Sequence, residues 1–226
     1  MTDCKVRHLA HSLYLRIFGK CHCADTKSEQ TRERILEAAF EEIYMNGYQG
    51  MRIDHILAKT QLTKGAFYHH FPSKKSLGYA VVDDVLFTVK RQLLAPLEQT
   101  DDPINVCLDI LSQTMNSMSD DELALGCPLN NLSQEMSGID EGFSQRLSAI
   151  YLYWQKVLQD ALARGQQAGT VAQDISPSAV SFFIISSIQG ITGTVKCLQN
   201  KQVLTELNST LAHYLKSLAP KTAASA

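Results

Sequence analysis

Residues that could bind a polyanion cluster in one short stretch of this 226-residue chain, 63–70, which reads TKGAFYHH. Lys64 carries a positive charge, and Tyr68 and His69 carry hydrogen-bonding groups at the ends of their side chains. On a helix, Lys64 and Tyr68 share one face because they are four residues apart. Free N–H groups at a helix start attract phosphate, and such side chains suit phosphate oxygens and base edges. The stretch therefore predicts a helix that reads nucleic acid.

A second short helix is predicted immediately before this one, at 53–60 (IDHILAKT), and Gln61-Leu62-Thr63 joins the two. Ile56, Leu57 and Phe67 are among the apolar residues expected to hold the pair together, and Phe67 and Phe71 are expected in the core. Two short helices joined by a tight turn form a helix-turn-helix, whose second helix enters the major groove.

Helical periodicity continues along the rest of the chain, and strand alternation is nearly absent. The first strong helix is predicted at 28–46, capped by Ser28 or Thr31 and ended by Gly47. Ser73 is expected to cap a long helix that ends at Pro96. Later helices are predicted at 101–118, 129–137, 140–167, 177–198 and 201–218. The fold class is all-α, with a three-helix N-terminal helix-turn-helix head and a larger C-terminal helical body.

The charge is distributed unevenly, although the net formal charge is only −2. Residues 1–75 hold 12 Lys and Arg against 8 Asp and Glu, whereas residues 76–226 hold 9 against 15. This contrast predicts that only the front of the chain meets DNA. We expect a basic, mobile arm at 1–24, a DNA-binding domain at 25–75, a helical body at 76–219 and a frayed tail at 220–226.

Residues 51–77, MRIDHILAKTQLTKGAFYHHFPSKKSL, closely resemble the DNA-binding motif of the TetR (tetracycline-repressor-like) transcriptional regulators. The run KGAFYHHFPSK is the most specific part. The resemblance covers residues 28–80, and beyond them it is one of helix number and order. It implies a homodimer that binds a short palindromic operator in double-stranded DNA and acts as a repressor. It also implies that the body binds a small-molecule effector and forms the dimer.

Carried over residue by residue, the resemblance implies a set of DNA contacts. They come from the recognition helix, from the start of the helix before it and from the start of the helix after it. The residues are Arg52, Thr63, Lys64, Gly65, Tyr68, His69 and Lys74. The sequence departs from the family pattern at Gln61, where glycine is common, and at Arg52, where a small hydroxyl residue is common.

The body is expected to enclose a pocket between the helices at 74–95, 102–118 and 140–167. Candidates for its wall are Phe87, Cys107, Met115, Cys127, Asn131, Trp154 and Phe183. Each of them could instead be ordinary core. The small residues of 177–198 favour close approach of a partner helix, so this helix and 201–218 are expected to form the dimer interface. The alternative is a helix buried within one subunit.

Gly126-Cys127-Pro128-Leu129 resembles a segment of many TetR-family regulators that opens a pocket-lining helix. Cys127 is either a thiol that senses electrophiles or oxidants or a buried thiol that fills space. The main alternative functions are therefore a thiol-responsive repressor and a DNA-binding factor without an effector.

Other classes are not favoured by the sequence. It has no phosphate-binding glycine loop, HExxH or GxSxG, so we expect no enzyme, no catalytic residues and no cofactor. Cys21-His22-Cys23 with two upstream histidines offers zinc-binding atoms at unsuitable spacing, so no metal is expected. No apolar run of about 18 residues is evident, so no membrane span is expected. Six scattered cysteines suit the reducing cytoplasm.

Overall fold

A computed structural model describes residues 26–220, and its regular elements there are all helices, without a strand. The all-α prediction is confirmed. Contacts divide the chain into two compact units. Within the described residues, the first unit comprises 26–89 and 128–148, and the second comprises 90–127 and 149–220. The predicted boundary after residue 75 differs from this division, because 76–89 and 128–148 pack with the head.

Eleven α-helices follow one another in the described part of the chain. They are α1 (Lys27–Gly50), α2 (Ile53–Thr60), α3 (Lys64–His70), α4 (Lys74–Ala80), α5 (Phe87–Leu94), α6 (Pro103–Ser117), α7 (Asp120–Leu125), α8 (Pro128–Met136), α9 (Glu141–Ala168), α10 (Pro177–Leu198) and α11 (Lys201–Ser217). A π-helical segment, Val81–Leu86, joins α4 to α5, and a 3₁₀ turn, Ala95–Glu98, follows α5.

The start of α1 differs from the expectation that Ser28 or Thr31 caps it. Thr26 is the N-cap: its hydroxyl accepts a hydrogen bond from the Glu29 backbone N–H, and the Glu29 carboxylate accepts one from the Thr26 backbone N–H. This reciprocal pair satisfies two backbone donors that the first turn leaves free. The helix bends at Gly47, whose φ of 74° lies in the left-handed region that glycine tolerates.

The core of the first unit forms where α1 packs on α2, α4 and α8. Its largest fully buried side chains include Phe40, Phe67, Leu77 and Phe143. Burying each such side chain stabilises the fold by about 1.5–3 kcal/mol. Gly78 lies in this core, where an added Cβ would be 2.5 Å from the Tyr48 ring. Only glycine therefore fits between the aromatic rings at this position.

The core of the second unit is built mainly from α9, α10 and α11, with α6 packed on α11 and α7 on α10. The buried cluster includes Trp154, Leu158, Leu162, Ile184, Val195 and Leu211. Apolar side chains of α6, from Val106 to Met115, pack against this cluster but are only partly buried. One edge of the apolar core along α6 therefore stays incompletely covered.

Helix α10 is more apolar than the sequence interpretation allowed. By length and composition alone it could cross a membrane, so the expectation of no such stretch was too strong. Val180, Ile184, Ile185 and Val195 are buried in the core of the second unit. Phe182, Phe183 and Leu198 are exposed. The core therefore covers only part of the apolar surface of α10.

Candidate DNA-binding surface

The turn between α2 and α3 has the tight geometry of a helix-turn-helix. Gln61 adopts a left-handed conformation, with φ 55° and ψ 33°, and its backbone N–H donates to the Leu57 carbonyl. Glycine adopts this left-handed conformation with the least strain, so Gln61 occupies a position where the glycine common in the family would be favoured. Thr63 then caps α3, because its hydroxyl accepts a hydrogen bond from the Ala66 backbone N–H at 3.2 Å.

Helix α3 separates its residues into a buried side and an exposed side. Phe67 is fully buried and Phe71, just after the helix, is 3% exposed, as predicted for core residues. Lys64, Tyr68 and His69 are exposed. Within residues 26–220, the Tyr68 hydroxyl and the His69 ring make no hydrogen bond, and their polar atoms are available to a ligand.

Gly65 lies on the exposed side of α3 and has no packing role. A Cβ added there would find no atom within 4 Å, and its φ is not positive. Neither the fold nor the backbone geometry therefore requires glycine at this position. Glycine lowers helix stability by about 0.5–1 kcal/mol relative to alanine, so a different requirement must account for it.

Two further predicted contacts, Arg52 and Lys74, differ in their surroundings. Arg52 is exposed at the start of α2, and its guanidinium makes no hydrogen bond or ion pair with residues 26–220. The Lys74 ammonium donates hydrogen bonds to the carbonyls of Gln49 and Met51, at 2.9 and 2.8 Å, and lies over the Tyr48 ring. Lys74 thus anchors the turn after α1, a structural role that the sequence interpretation missed.

The segment 128–148 holds the head through two carboxylates. Glu135 of α8 accepts hydrogen bonds from the backbone N–H groups of Tyr48 and Gln49, at 2.9 and 2.8 Å. Asp140, just before α9, forms an ion pair with Lys75 at 2.7 Å and accepts from the Tyr79 hydroxyl at 2.6 Å. No sequence pattern marked these contacts, because the partners are more than 60 residues apart.

The Asp140 carboxyl has its pKa held well below the usual range. The ion pair with the Lys75 ammonium is the main cause, followed by the hydrogen bond from Tyr79. The same ion pair raises the pKa of Lys75. Both groups therefore stay charged across the ordinary pH range.

The candidate wall residues of the effector pocket fall in both units. Phe87 and Asn131 belong to the first unit, and Cys107, Met115, Cys127, Trp154 and Phe183 belong to the second. Cys107, Met115 and Trp154 pack in or against the core of the second unit. Burial raises the pKa of the Cys107 thiol to about 12. Phe183 is 52% exposed and packs on Tyr214, which does not suit an enclosed wall.

Lys90 of α5 was not singled out from the sequence, yet it is only 8% exposed. Its ammonium lies 3.5 Å from the centroid of the Trp154 ring. Within the described chain, no carboxylate pairs with it and no acceptor receives its hydrogen bonds. Burial lowers the pKa of Lys90 to about 8, and charge interaction with Cys127 partly opposes this shift.

The described residues hold no group of three or more His, Cys, Asp or Glu side chains that could bind a metal ion. The candidate zinc ligands His8, His11 and 21–23 lie outside the described residues, as does the predicted basic arm.

The fold and the exposed face of α3 define a helical DNA-binding regulator with a helix-turn-helix head. Residues 35–81 match the model of the bacterial regulatory proteins of the tetR family, and residues 108–211 match the tetracyclin repressor-like C-terminal domain. The chain is 32% identical to an uncharacterized HTH-type transcriptional regulator from Lactococcus lactis subsp. lactis, over 77% of this chain and 87% of that protein. This chain belongs to the TetR family of transcriptional regulators.

Two other similarities agree with this assignment. The chain is 26% identical to the HTH-type transcriptional repressor DhaR of Mycobacterium sp. (strain GP1), over 84% of this chain and 93% of that protein. A TetR-family regulator from Cytophaga hutchinsonii superposes with a TM-score of 0.77 at 23% identity, covering 87% of this chain and 98% of that chain. The relatives and matched domains are those of transcriptional regulators and not of enzymes, as the sequence predicted.

Proposed function

We propose that the protein is a homodimeric cytoplasmic repressor that binds a palindromic operator and is released from it by a small-molecule effector. The observation that carries the DNA-binding part is the exposed face of α3. Within residues 26–220 the Tyr68 hydroxyl and the His69 ring have no hydrogen-bond partner, and Gly65 is open to approach from outside. Lys64 is exposed and makes only a long ion pair, of 3.8 Å, with Asp54. A glycine at a helix start lets the backbone come close to a phosphate.

The dimer is proposed to form on exposed apolar side chains of α10. The adjacent Phe182 and Phe183 are at least half exposed, and grouped exposed apolar residues often mark a protein interface. A dimer would hold its two recognition helices about 34–36 Å apart, one turn of DNA. Two identical heads at that spacing require a near-palindromic site.

Release is proposed to act through the segment 128–148. This segment begins directly after Cys127 in the chain and clamps the head through Glu135 and Asp140. A shift of α8 would therefore move the turn after α1. An effector releases DNA only if it binds the released state more tightly than the DNA-bound state.

The matched pair Gly65→Ala and Gly138→Ala tests the DNA-binding face. Both glycines are exposed, and an added Cβ meets nothing at either position. Binding is measured by gel shift on the DNA upstream of the protein's own gene, and the protected bases are mapped by footprinting. We expect Gly65→Ala to lose about tenfold or more in affinity, equivalent to about 1.4 kcal/mol. Gly138→Ala should bind as the unchanged protein does, and equal binding by Gly65→Ala would contradict the proposed face.

A second candidate trigger is modification of the Cys127 thiol. The residue immediately precedes α8, and its charge interaction with the buried Lys90 partly opposes the lowering of the Lys90 pKa. The thiolate is the form of cysteine that attacks electrophiles. If Cys127 is the sensor, Cys127→Ser should stay bound to the operator when treated with a mild electrophile. Release equal to that of the unchanged protein would exclude this trigger.

A further inference from the structure

Lys90 is a buried charge without an answering charge among residues 26–220. We propose that Lys90 and Trp154 form the anion-binding part of the effector site, and that the effector is a small organic carboxylate with an apolar body. This inference rests on the proposed function, because it names the chemical class of the effector and the residues that receive it.

The first step of the argument is the cost of burying an ammonium group. Transfer of an unpaired charge out of water is strongly unfavourable, and proteins normally pair such charges. The Trp154 ring lies 3.5 Å below the ammonium and offsets part of this cost through its negative face. An ammonium has three N–H donors, however, and one ring face cannot accept all three.

The second step identifies what could receive the remaining donors. In the described part of the chain, Cys127 is the one titratable group that acts on Lys90 by charge. A thiol is a weak acceptor, so it does not replace an oxyanion. A carboxylate provides two oxygens that accept charge-assisted hydrogen bonds, and a single carboxylate matches the single charge of Lys90.

The third step concerns the rest of the ligand. Trp154 belongs to the buried cluster of the second unit, which also contains Leu94, one turn after Lys90 on α5. Side chains of α6 border the same cluster and are only partly buried, among them Val106, Ile110, Leu111 and Met115. Apolar surface that the core leaves uncovered favours a ligand with an apolar body over a polar one.

The test uses the full chain and its own tryptophan. Trp154 is the single tryptophan of the sequence, so its fluorescence reports directly on the site. The probes are benzoate and hexanoate, each compared with its neutral amide at millimolar concentration. The variants are Lys90→Met, which keeps the apolar stem, and Lys90→Arg, which keeps the charge. Lys156→Met is the matched control, because Lys156 is an exposed lysine of the same unit, paired with Asp160. Circular dichroism checks that each variant is folded.

We expect at least one carboxylate to change the fluorescence of the unchanged protein, while its amide has no effect at the same concentration. Lys90→Met should weaken that binding about 10-fold to 100-fold, the range expected for one charge-assisted hydrogen bond. Lys90→Arg should retain most of the affinity, and Lys156→Met all of it. The inference is overturned if neither carboxylate binds, if the amides bind equally well, or if Lys90→Met binds as tightly as the unchanged protein.

A gel shift on operator DNA separates this inference from the proposed function. Carboxylate binding that depends on Lys90 without release of DNA would support the site and contradict effector-induced release. Release by another compound, unaffected by Lys90→Met, would support release and overturn the site.

Discussion

The charged groups of the first unit and the buried lysine of the second unit lie in opposite environments. In the first unit, Glu135 and Asp140 receive hydrogen bonds from defined partners, and the side chains of α3 that are proposed to face DNA lie in solvent. In the second unit, Lys90 is withdrawn from solvent, lies over the Trp154 ring and has no carboxylate partner among residues 26–220. A surface that meets a highly charged macromolecule can keep its polar groups hydrated, whereas a site for a small molecule must exclude water to bind it.

The largest expected effect is a loss of stability caused by overpacking the core of the first unit. Gly78→Ala places a Cβ 2.5 Å from the Tyr48 ring and 2.7 Å from the Phe143 ring, so the rings must move. We expect a loss of about 3 kcal/mol in the free energy of unfolding, at the upper end for an overpacked core. Urea unfolding measures it, with Gly65→Ala as the control that should be equal or slightly more stable. A neutral Gly78→Ala would mean that the contact between α4 and its neighbours is loose.

The next effect concerns the second unit, where the substitution is expected to increase the free energy of unfolding. Lys90→Met removes a buried charge and should raise stability by about 2 kcal/mol in the absence of ligand, since apolar replacements of buried ionic groups are often stabilising. In the folded protein, burial lowers the pKa of Lys90 to about 8, from the usual lysine value of 10.5. Below pH 8, Lys90 is protonated in both the folded and the unfolded state, so the full cost of burying its charge lowers the stability. Between pH 8 and 10.5, Lys90 is neutral in the folded state but still protonated in the unfolded state, so this cost declines.

The stability difference between Lys90→Met and the unchanged protein should therefore be greatest below pH 8 and shrink toward pH 10.5. Urea unfolding at several pH values measures this difference. Lys156→Met should show no such dependence, because the Lys156 ammonium is exposed. A difference that is constant with pH would mean that the Lys90 charge is not what destabilises the second unit.

A smaller effect tests the pairing of charge in the first unit. Glu135→Gln keeps one oxygen acceptor, but its NH₂ group replaces the second oxygen, so one of the Tyr48 and Gln49 backbone N–H groups loses its acceptor. The charge that strengthens both hydrogen bonds is also removed. We expect a loss of about 1 kcal/mol, measured by urea unfolding. Glu141→Gln, at an exposed position of α9, is the control. If the two variants are equally stable, the clamp on the turn contributes little.

The smallest effect concerns the turn of the helix-turn-helix. Gln61 has a left-handed backbone conformation that glycine adopts with less strain, so Gln61→Gly stabilises the folded state. The greater conformational entropy of glycine in the unfolded state partly offsets this gain. We expect a net gain of about 0.5 kcal/mol, seen as a small rise in Tm. Gln199 is also left-handed, with φ 49°, so Gln199→Gly provides a matched comparison in the second unit. A loss of stability in Gln61→Gly would show that the glutamine side chain supports the turn.

Much of the helical framework could be predicted from local signals. The bounds predicted for the helix at 53–60 agree with α2, and the helix predicted within 63–70 is α3. Phe67 and Phe71 are in the core, as expected from the sequence. The true cap of α1 was also readable, since Thr26 and Glu29 have the spacing of a reciprocal cap, yet Ser28 and Thr31 were preferred. Gly47 and Gln61 both have a positive φ, at a helix bend and at a tight turn that local sequence signals marked.

The amino-acid sequence by itself determined the family, the all-α fold and the face of α3 proposed to read DNA. Each depends on residues a few positions apart, whose relation the helix geometry fixes. Only the tertiary structure decided that Lys74 holds a turn, that Glu135 and Asp140 clamp the head, and that Lys90 is buried on Trp154. Those contacts join distant parts of the chain, and the environment of a charge is set by which side chains the packing brings around it.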